Sequence, residues 1–349
     1  MQKGWFLLKA ALLAGTLVMP YNVAAEVQEE TVQVEYTAAD YEVPFFYDLE
    51  SVTELEGECD QKGTVVSLEY ETPAYAVNEI LDTNQTMSKS VSVYLPYGYD
   101  ETKQYNVLYL LHGTGGNDEY WLVNEKTGVP TCNVLDNMIA QGLCEPLIVV
   151  APNYYSEIKD KEYKLSDEIV AEYAEEVQDP LLVTRNDLWP EFFKEELRNQ
   201  IIPLIESEYA TYANGDVSEE NLAATREHRA LAGLSRGSMA SVRSGLMANT
   251  DYIAYFGSYS GVWADFDKFK EILTEGVFKD YPVEYWYNGN GSADFSLENH
   301  NEFLKKVTSE MPGKFIDGEN FAFVVKEGAE HSYENWITDL HNTLLVFFK

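Results

Sequence analysis

The sequence predicts an α/β fold: a mostly parallel central sheet with helices on both faces. Three observations lead there. Short apolar runs recur along the chain and take turns with segments of helical periodicity. Most of those runs are continuous rather than alternating, as strands covered on both faces must be. The two earliest strand signals do alternate, which marks an antiparallel beginning.

Taken in chain order, residues 1–25 read as a secretory leader. Lys3 gives a positive start, residues 10–20 form a short apolar run, and Val23-Ala24-Ala25 offers small residues before Glu26. A spanning helix needs about 20 apolar residues, and Lys9 interrupts this run. The expectation is a secreted chain starting near Glu26, with no membrane attachment once the leader is removed. Residues 26–61 are acidic and weakly patterned and read as an N-terminal extension. Residues 62–349 read as one large domain, long enough for a substantial core.

Within that domain, residues 64–70 and 90–95 alternate like antiparallel strands, and Pro96-Tyr97-Gly98-Tyr99-Asp100 makes a turn. Residues 106–111 (NVLYLL) and 146–151 (PLIVVA) are buried strands. Residues 229–233, 253–257, 283–287 and 321–325 (FAFVV) complete the series. Residues 189–209, 238–248, 297–309 and 335–347 carry helical patterns between and after them. Tyr155 to Leu188 is long and acidic and leaves a strand end, so it reads as an insertion on the edge where a site would sit.

The formal net charge is −35. Such a surface repels nucleic acid and anionic membranes and favours solubility. Cys59, Cys132 and Cys144 are odd in number and contain no CxxC pair, which argues against a zinc site. A Cys132–Cys144 bridge is the pairing open to an exported chain. Neither metal nor cofactor is expected.

Four motifs carry chemistry. Gly233-Leu234-Ser235-Arg236-Gly237 is G-x-S-x-G between an apolar strand and a small-residue helix, the strand–turn–helix context of a nucleophile elbow. Leu111-His112-Gly113-Thr114-Gly115-Gly116 follows a buried strand, and its glycines let backbone N–H groups face a developing oxyanion. The expected donors are the amides of Thr114 and Arg236, with Gly115 as the alternative to Thr114. His112 sits on that loop and reads as structural. His331, in Gly328-Ala329-Glu330-His331, follows the last strand and is the candidate base. His228, His300 and His341 fit less well, the first preceding a strand and the others lying in helical patterns. Asp294, in Gly291-Ser292-Ala293-Asp294, is the candidate acid, with Asp265 and Asp267 as rivals. The chain order Ser…Asp…His then holds.

With those pieces placed, the chain resembles carbohydrate esterase family 1, the branch of the α/β-hydrolases that includes feruloyl and acetylxylan esterases. The resemblance rests on VSVYLPYGYD, VLYLLHGTGGNDEYWL, LAGLSRGSMAS, NGSADF and EGAEHSYENW in that order, and it covers residues 62–349. It implies the roles already assigned to Ser235, His331 and Asp294, and a polysaccharide-linked ester of the plant cell wall as substrate. Feruloyl esters are the first expectation and acetylated xylan the second. Aromatic residues near the catalytic edge suit a planar acid or a sugar face: Tyr120, Trp121, Tyr154, Tyr155, Tyr259, Trp263 and Trp336. Trp121, Trp263 and Trp336 are the expected substrate contacts. An acyltransferase on the same fold would share every motif, an intracellular thioester hydrolase is disfavoured by the leader, and a non-catalytic carbohydrate-binding relative would carry a broken triad.

Overall fold

The computed structural model describes residues 52–155, 165–177 and 189–349. The leader, most of the acidic extension and most of the insertion lie outside the described residues.

Eight strands form one sheet: β1 (Thr64–Pro73), β2 (Thr86–Leu95), β3 (Asn106–Leu111), β4 (Leu147–Pro152), β5 (Arg229–Leu234), β6 (Tyr255–Tyr259), β7 (Tyr285–Gly291) and β8 (Phe321–Lys326). Their order across the sheet is β1-β2-β4-β3-β5-β6-β7-β8. β1 and β2 pair antiparallel, as do β2 and β4, and the pairings from β4 through β8 are parallel. The alternating early strands and the continuous later ones correspond to these two kinds of pairing.

The continuous runs follow from burial on both faces. In β3, Val107, Tyr109 and Leu111 pack with Phe193, Leu197 and Ile201 on one side. Leu108 and Leu110 pack with Val134, Leu135 and Met138, and with Leu340 and Leu344 of the C-terminal helix Tyr333–Val346, on the other. Every one of these side chains is at most 1% exposed, and full burial of each contributes about 1.5–3 kcal/mol.

The crossover positions the site. From β3 the chain moves to β4 on one side, then returns to β5 on the other. The loops after β3 and β5 therefore diverge at the point where the strand order reverses, which opens a crevice at their carboxyl ends.

Several boundaries differ from expectation for tertiary reasons. β7 runs on through Asn288, Gly289, Asn290 and Gly291, residues whose composition suggests a loop. Buried Asn288 donates from Nδ2 to the carbonyls of Trp286 and Ala322, which anchors it inside the sheet. A Cβ on Gly289 would fall 1.8 Å from a carboxylate oxygen of Asp339, so only glycine fits there. The strand expected at 253–257 starts two residues later, at Tyr255, because the Ile253 N–H is held by the Asn249 carbonyl in the preceding turn. The helix expected over 189–209 is interrupted by a π-turn at Leu197–Ile201, and the one expected over 238–248 begins at Arg236 and passes into a π-turn at Ser241–Leu246. Helices Thr131–Ala140 and Phe266–Thr274 add to those named from the sequence. The boundary expected at Lys62 is not a break in packing. Val52 and Leu55 are buried against the same face as the C-terminal helix, and Asn137 Nδ2 donates to the Leu55 and Gly57 carbonyls.

Candidate active site

Ser235 sits in the sharp turn between β5 and the helix Arg236–Ala240, with φ 54° and ψ −114°. A non-glycine residue held there stores about 1–3 kcal/mol of backbone strain. The surroundings enforce it. The Ser235 N–H donates to the Tyr259 carbonyl at 2.7 Å. The two glycines of the motif are needed because the turn is crowded on both sides. A Cβ on Gly233 would lie 2.5 Å from the Gly237 backbone, and one on Gly237 would lie 2.4 Å from the His112 carbonyl oxygen.

Three of the expected site residues come together at the carboxyl ends of β5, β7 and β8. His331 Nε2 lies 3.0 Å from Ser235 Oγ. His331 Nδ1 lies 2.9 and 3.0 Å from the two carboxylate oxygens of Asp294. Asp294 is 5% exposed. Its Oδ1 also accepts from the Ser296 N–H at 2.8 Å and the Ser296 hydroxyl at 2.7 Å, and its Oδ2 accepts from the Ser260 hydroxyl at 2.6 Å. Burial alone would raise the Asp294 pKa, but the hydrogen bonds from His331, Ser260 and Ser296 outweigh it and bring the carboxyl down to about 2. Asp294 is therefore an anion that fixes the imidazole from below. Ser260, at the end of β6, is itself held at φ 63° and accepts from Trp336 Nε1 at 2.8 Å.

The rival acids are elsewhere. Asp265 caps the helix Phe266–Thr274 by accepting from the Lys268 N–H, and Asp267 is exposed in its first turn. The other histidines are also engaged. His300 is fully buried, accepts from the Gly261 N–H and faces Asn288 Oδ1, and burial lowers its pKa to about 3. His228 stacks on Tyr212, and His341 is buried in the C-terminal helix.

The loop after β3 turns tightly: the Gly116 N–H donates to the Gly113 carbonyl at 3.1 Å, leaving Thr114 and Gly115 at the corner, Gly115 with φ 77°. The Gly115 N–H donates to the Tyr155 hydroxyl at 2.8 Å. Arg236 opens its helix, where N–H groups point out of the N-terminus rather than into the ladder. His112 braces the turn from inside: Nδ1–H donates to the Gly113 carbonyl at 2.8 Å, the ring stacks on Tyr154, and Nε2 lies 3.3 Å from Asn153 Oδ1. Burial lowers its pKa to about 4, so it is neutral. Below it, Lys89 and Glu196 form a fully buried ion pair at 2.8 Å, and Lys89 also donates to the carbonyls of Asn153 and Tyr155.

The expected aromatic contacts need correction. Trp121 is completely buried and its Nε1–H donates to the Leu111 carbonyl; it is core, and it cannot touch a substrate. Trp336 is 9% exposed and stands edge-on to His331 with centroids 4.9 Å apart. Buried against the imidazole with its Nε1–H bound to Ser260, it is a support for His331 and not a substrate contact. Trp263 is half-buried beside Gly261. The most exposed ring beside the imidazole is one that no local sequence signal marks: Phe295 is 75% exposed, with its centroid 4.4 Å from that of His331. The contact of the Tyr155 hydroxyl with the Gly115 N–H has no local signature in the sequence.

Cys59, Cys132 and Cys144 are all free thiols. Among the described residues, no group of three or more His, Cys, Asp or Glu side chains is arranged to hold a metal ion, and no helix is long and apolar enough to cross a membrane.

Comparison with known proteins agrees with this architecture. The family described as "Putative esterase" matches residues 83–347. Endo-1,4-beta-xylanase Y of Acetivibrio thermocellus is 30% identical over 304 residues, which is 83% of this chain and 24% of that protein. The endo-1,4-beta-xylanase/feruloyl esterase of Xylanibacter ruminicola is 26% identical over 266 residues, 75% of this chain and 29% of that protein. The chain thus spans about a quarter of the length of these curated relatives. Among solved structures, the feruloyl esterase module of Clostridium thermocellum complexed with sinapinate aligns with a TM-score of 0.65 at 26% identity, covering 84% of this chain and 91% of that one. A CE1 ferulic acid esterase from Anaeromyces mucronatus, in complex with ferulic acid, shares the fold with a TM-score of 0.59 at 19% identity, covering 84% and 95%. The chain belongs to the putative esterase family, on an α/β-hydrolase fold.

Proposed function

We propose that this chain is a secreted serine esterase that hydrolyses hydroxycinnamoyl esters, such as feruloyl groups, on plant cell-wall polysaccharide. The observation that carries the reading is the unbroken line of contacts from buried Asp294 through His331 to Ser235 Oγ. His331 takes the Ser235 proton as the hydroxyl attacks the ester carbonyl. Asp294 holds the proton on Nδ1, so that Nε2 faces the nucleophile as an acceptor. The amides of Thr114 and Arg236 face the developing oxyanion, the turn being held by Tyr155 and His112. The protonated imidazole then gives its proton to the leaving sugar oxygen. A water activated by the same imidazole releases the acid and restores Ser235.

The acyl group is read from the relatives: one curated relative is named a feruloyl esterase, and the similar feruloyl esterase module of known structure is complexed with sinapinate, a hydroxycinnamate. Export is read from residues 1–25. The test is release of acid from methyl ferulate and from acetylated xylan by the purified chain and its Ser235→Ala variant. The expected result is ferulate release that falls roughly 10⁶-fold in the variant. Residual activity above a few per cent would show the nucleophile misassigned. Acetate release without ferulate release would replace the acyl group but keep the esterase.

A further inference from the structure

We propose that Phe295 is the platform for the sugar on the leaving-group side of the ester, and so sets preference for a glycosyl over a simple alkyl alcohol. This rests on the esterase reading above. Phe295 is a large apolar side chain left 75% exposed between two buried neighbours, Asp294 at 5% and Ser296 at 1%. Its backbone is fixed from both sides. The Ser296 N–H and hydroxyl bond the Asp294 carboxylate, the Ser296 hydroxyl also contacts Asn290, and the Leu297 N–H donates to the Asp294 carbonyl. An exposed ring on a rigid base is a presented surface, not a frayed end.

The ring's address selects what it touches. A tetrahedral intermediate at Ser235 has three other substituents: the oxyanion, the acyl chain and the leaving oxygen. The oxyanion points to the amides of the loops after β3 and β5. The leaving oxygen must come within hydrogen-bond reach of His331 Nε2, because that nitrogen delivers its proton. Phe295 lies against the same imidazole, centroid to centroid 4.4 Å at 40°, so the alcohol is the substituent nearest the ring. Phenylalanine offers no hydrogen bond, only an apolar face. A pentose ring presents C–H groups that pack on such a face, whereas a methyl group covers almost none of it. Trp336, the other ring against His331, is 9% exposed and has its Nε1–H bound to Ser260, so it offers no comparable open face.

The experiment compares two substrates with the same acyl group, methyl ferulate and a feruloylated arabinoxylo-oligosaccharide, for the wild-type chain, Phe295→Ala and Phe295→Trp. The readout is the ratio of kcat/KM for the sugar ester to that for the methyl ester. Phe295→Ala should lower that ratio about tenfold, mainly through KM of the sugar ester, the size expected for one stacked ring. Phe295→Trp should keep it. An unchanged ratio in Phe295→Ala, whether both activities fall together or neither does, overturns the proposal, since the ring would then act on His331 or the acyl group, or on nothing. A wild-type chain that cleaves neither ester overturns the esterase reading itself. Unchanged melting temperatures for both variants exclude a folding defect as the cause.

Discussion

Replacing Asp294 with asparagine tests how the acid works. In the native site, Oδ1 is pinned by the Ser296 N–H, a donor that cannot reverse, and both carboxylate oxygens face His331 Nδ1. An asparagine must therefore keep its carbonyl oxygen toward Ser296 and put its NH₂ where Oδ2 was, facing Nδ1 and Ser260. The Ser260 hydroxyl can turn to accept, but the imidazole can accept only by moving its proton to Nε2. That is the wrong tautomer, because Nε2–H then points at Ser235 and cannot take its proton. Loss of kcat should be about 10⁴-fold, equivalent to about 5 kcal/mol of transition-state stabilisation, with the fold retained. Asp265→Asn is the matched control. Asp265 caps a helix through one accepted N–H, and asparagine caps about as well, so activity should hold within about twofold. The assay is kcat on methyl ferulate with circular dichroism as the fold check. Less than about tenfold loss in Asp294→Asn, or a larger loss in Asp265→Asn, would refute the tautomer argument.

Other perturbations follow from the same contacts. Because the folded Asp294 pKa is depressed to about 2 from 3.8, its ionisation contributes roughly 2 kcal/mol that is present above about pH 4 and lost as pH falls toward about 2. Chemical denaturation from pH 5 to 2 should therefore show a flatter acid decline in Asp294→Asn than in wild type. Tyr155→Phe leaves the Gly115 N–H without its partner and should lower kcat several-fold on any ester while moving the melting temperature little; an unaltered kcat would remove Tyr155 from the turn. Lys89→Met leaves Glu196 as an uncompensated buried charge and should cost about 3–5 kcal/mol in urea unfolding, a loss that Lys89→Met with Glu196→Leu should partly recover. Gly237→Ala drives a methyl into the His112 carbonyl, and should cost both stability and activity; a variant that melts and turns over like wild type would contradict the crowding at the elbow.

What was legible in the sequence was what depends on near neighbours along the chain. β3 could be read to the residue because both its faces are covered, so its apolar run has no interruption. The elbow could be read because its two glycines and the strand before it are consecutive. The order Ser235, Asp294, His331 was legible because each lies just after a strand. The remainder depends on contacts far apart in sequence. Nothing local marks Gly289 as a strand residue, since its requirement comes from the Asp339 carboxylate 50 positions away. Nothing local separates Trp121 from Phe295, since the burial of the first and the exposure of the second are decided by elements distant in sequence. The π-turns are invisible to a 3.6-residue period. The buried Lys89–Glu196 pair joins positions 107 apart, and neither residue alone announces it.

Ser260 carries a consequence for anyone seeking a heat-tolerant form of this protein. Its left-handed backbone, φ 63°, is a conformation that glycine adopts freely, so Ser260→Gly relieves roughly 1 kcal/mol of strain, but it also leaves the buried Trp336 Nε1–H without its acceptor at about 1–3 kcal/mol, and the melting temperature should fall. The same change deletes the hydroxyl that steadies Asp294 and receives Trp336. Selection for thermotolerance alone would therefore retain the serine here, so that stability and turnover are served by the same strained strand end rather than traded against each other at it. A selection that scores ester cleavage at elevated temperature would keep the serine and look for its gains elsewhere.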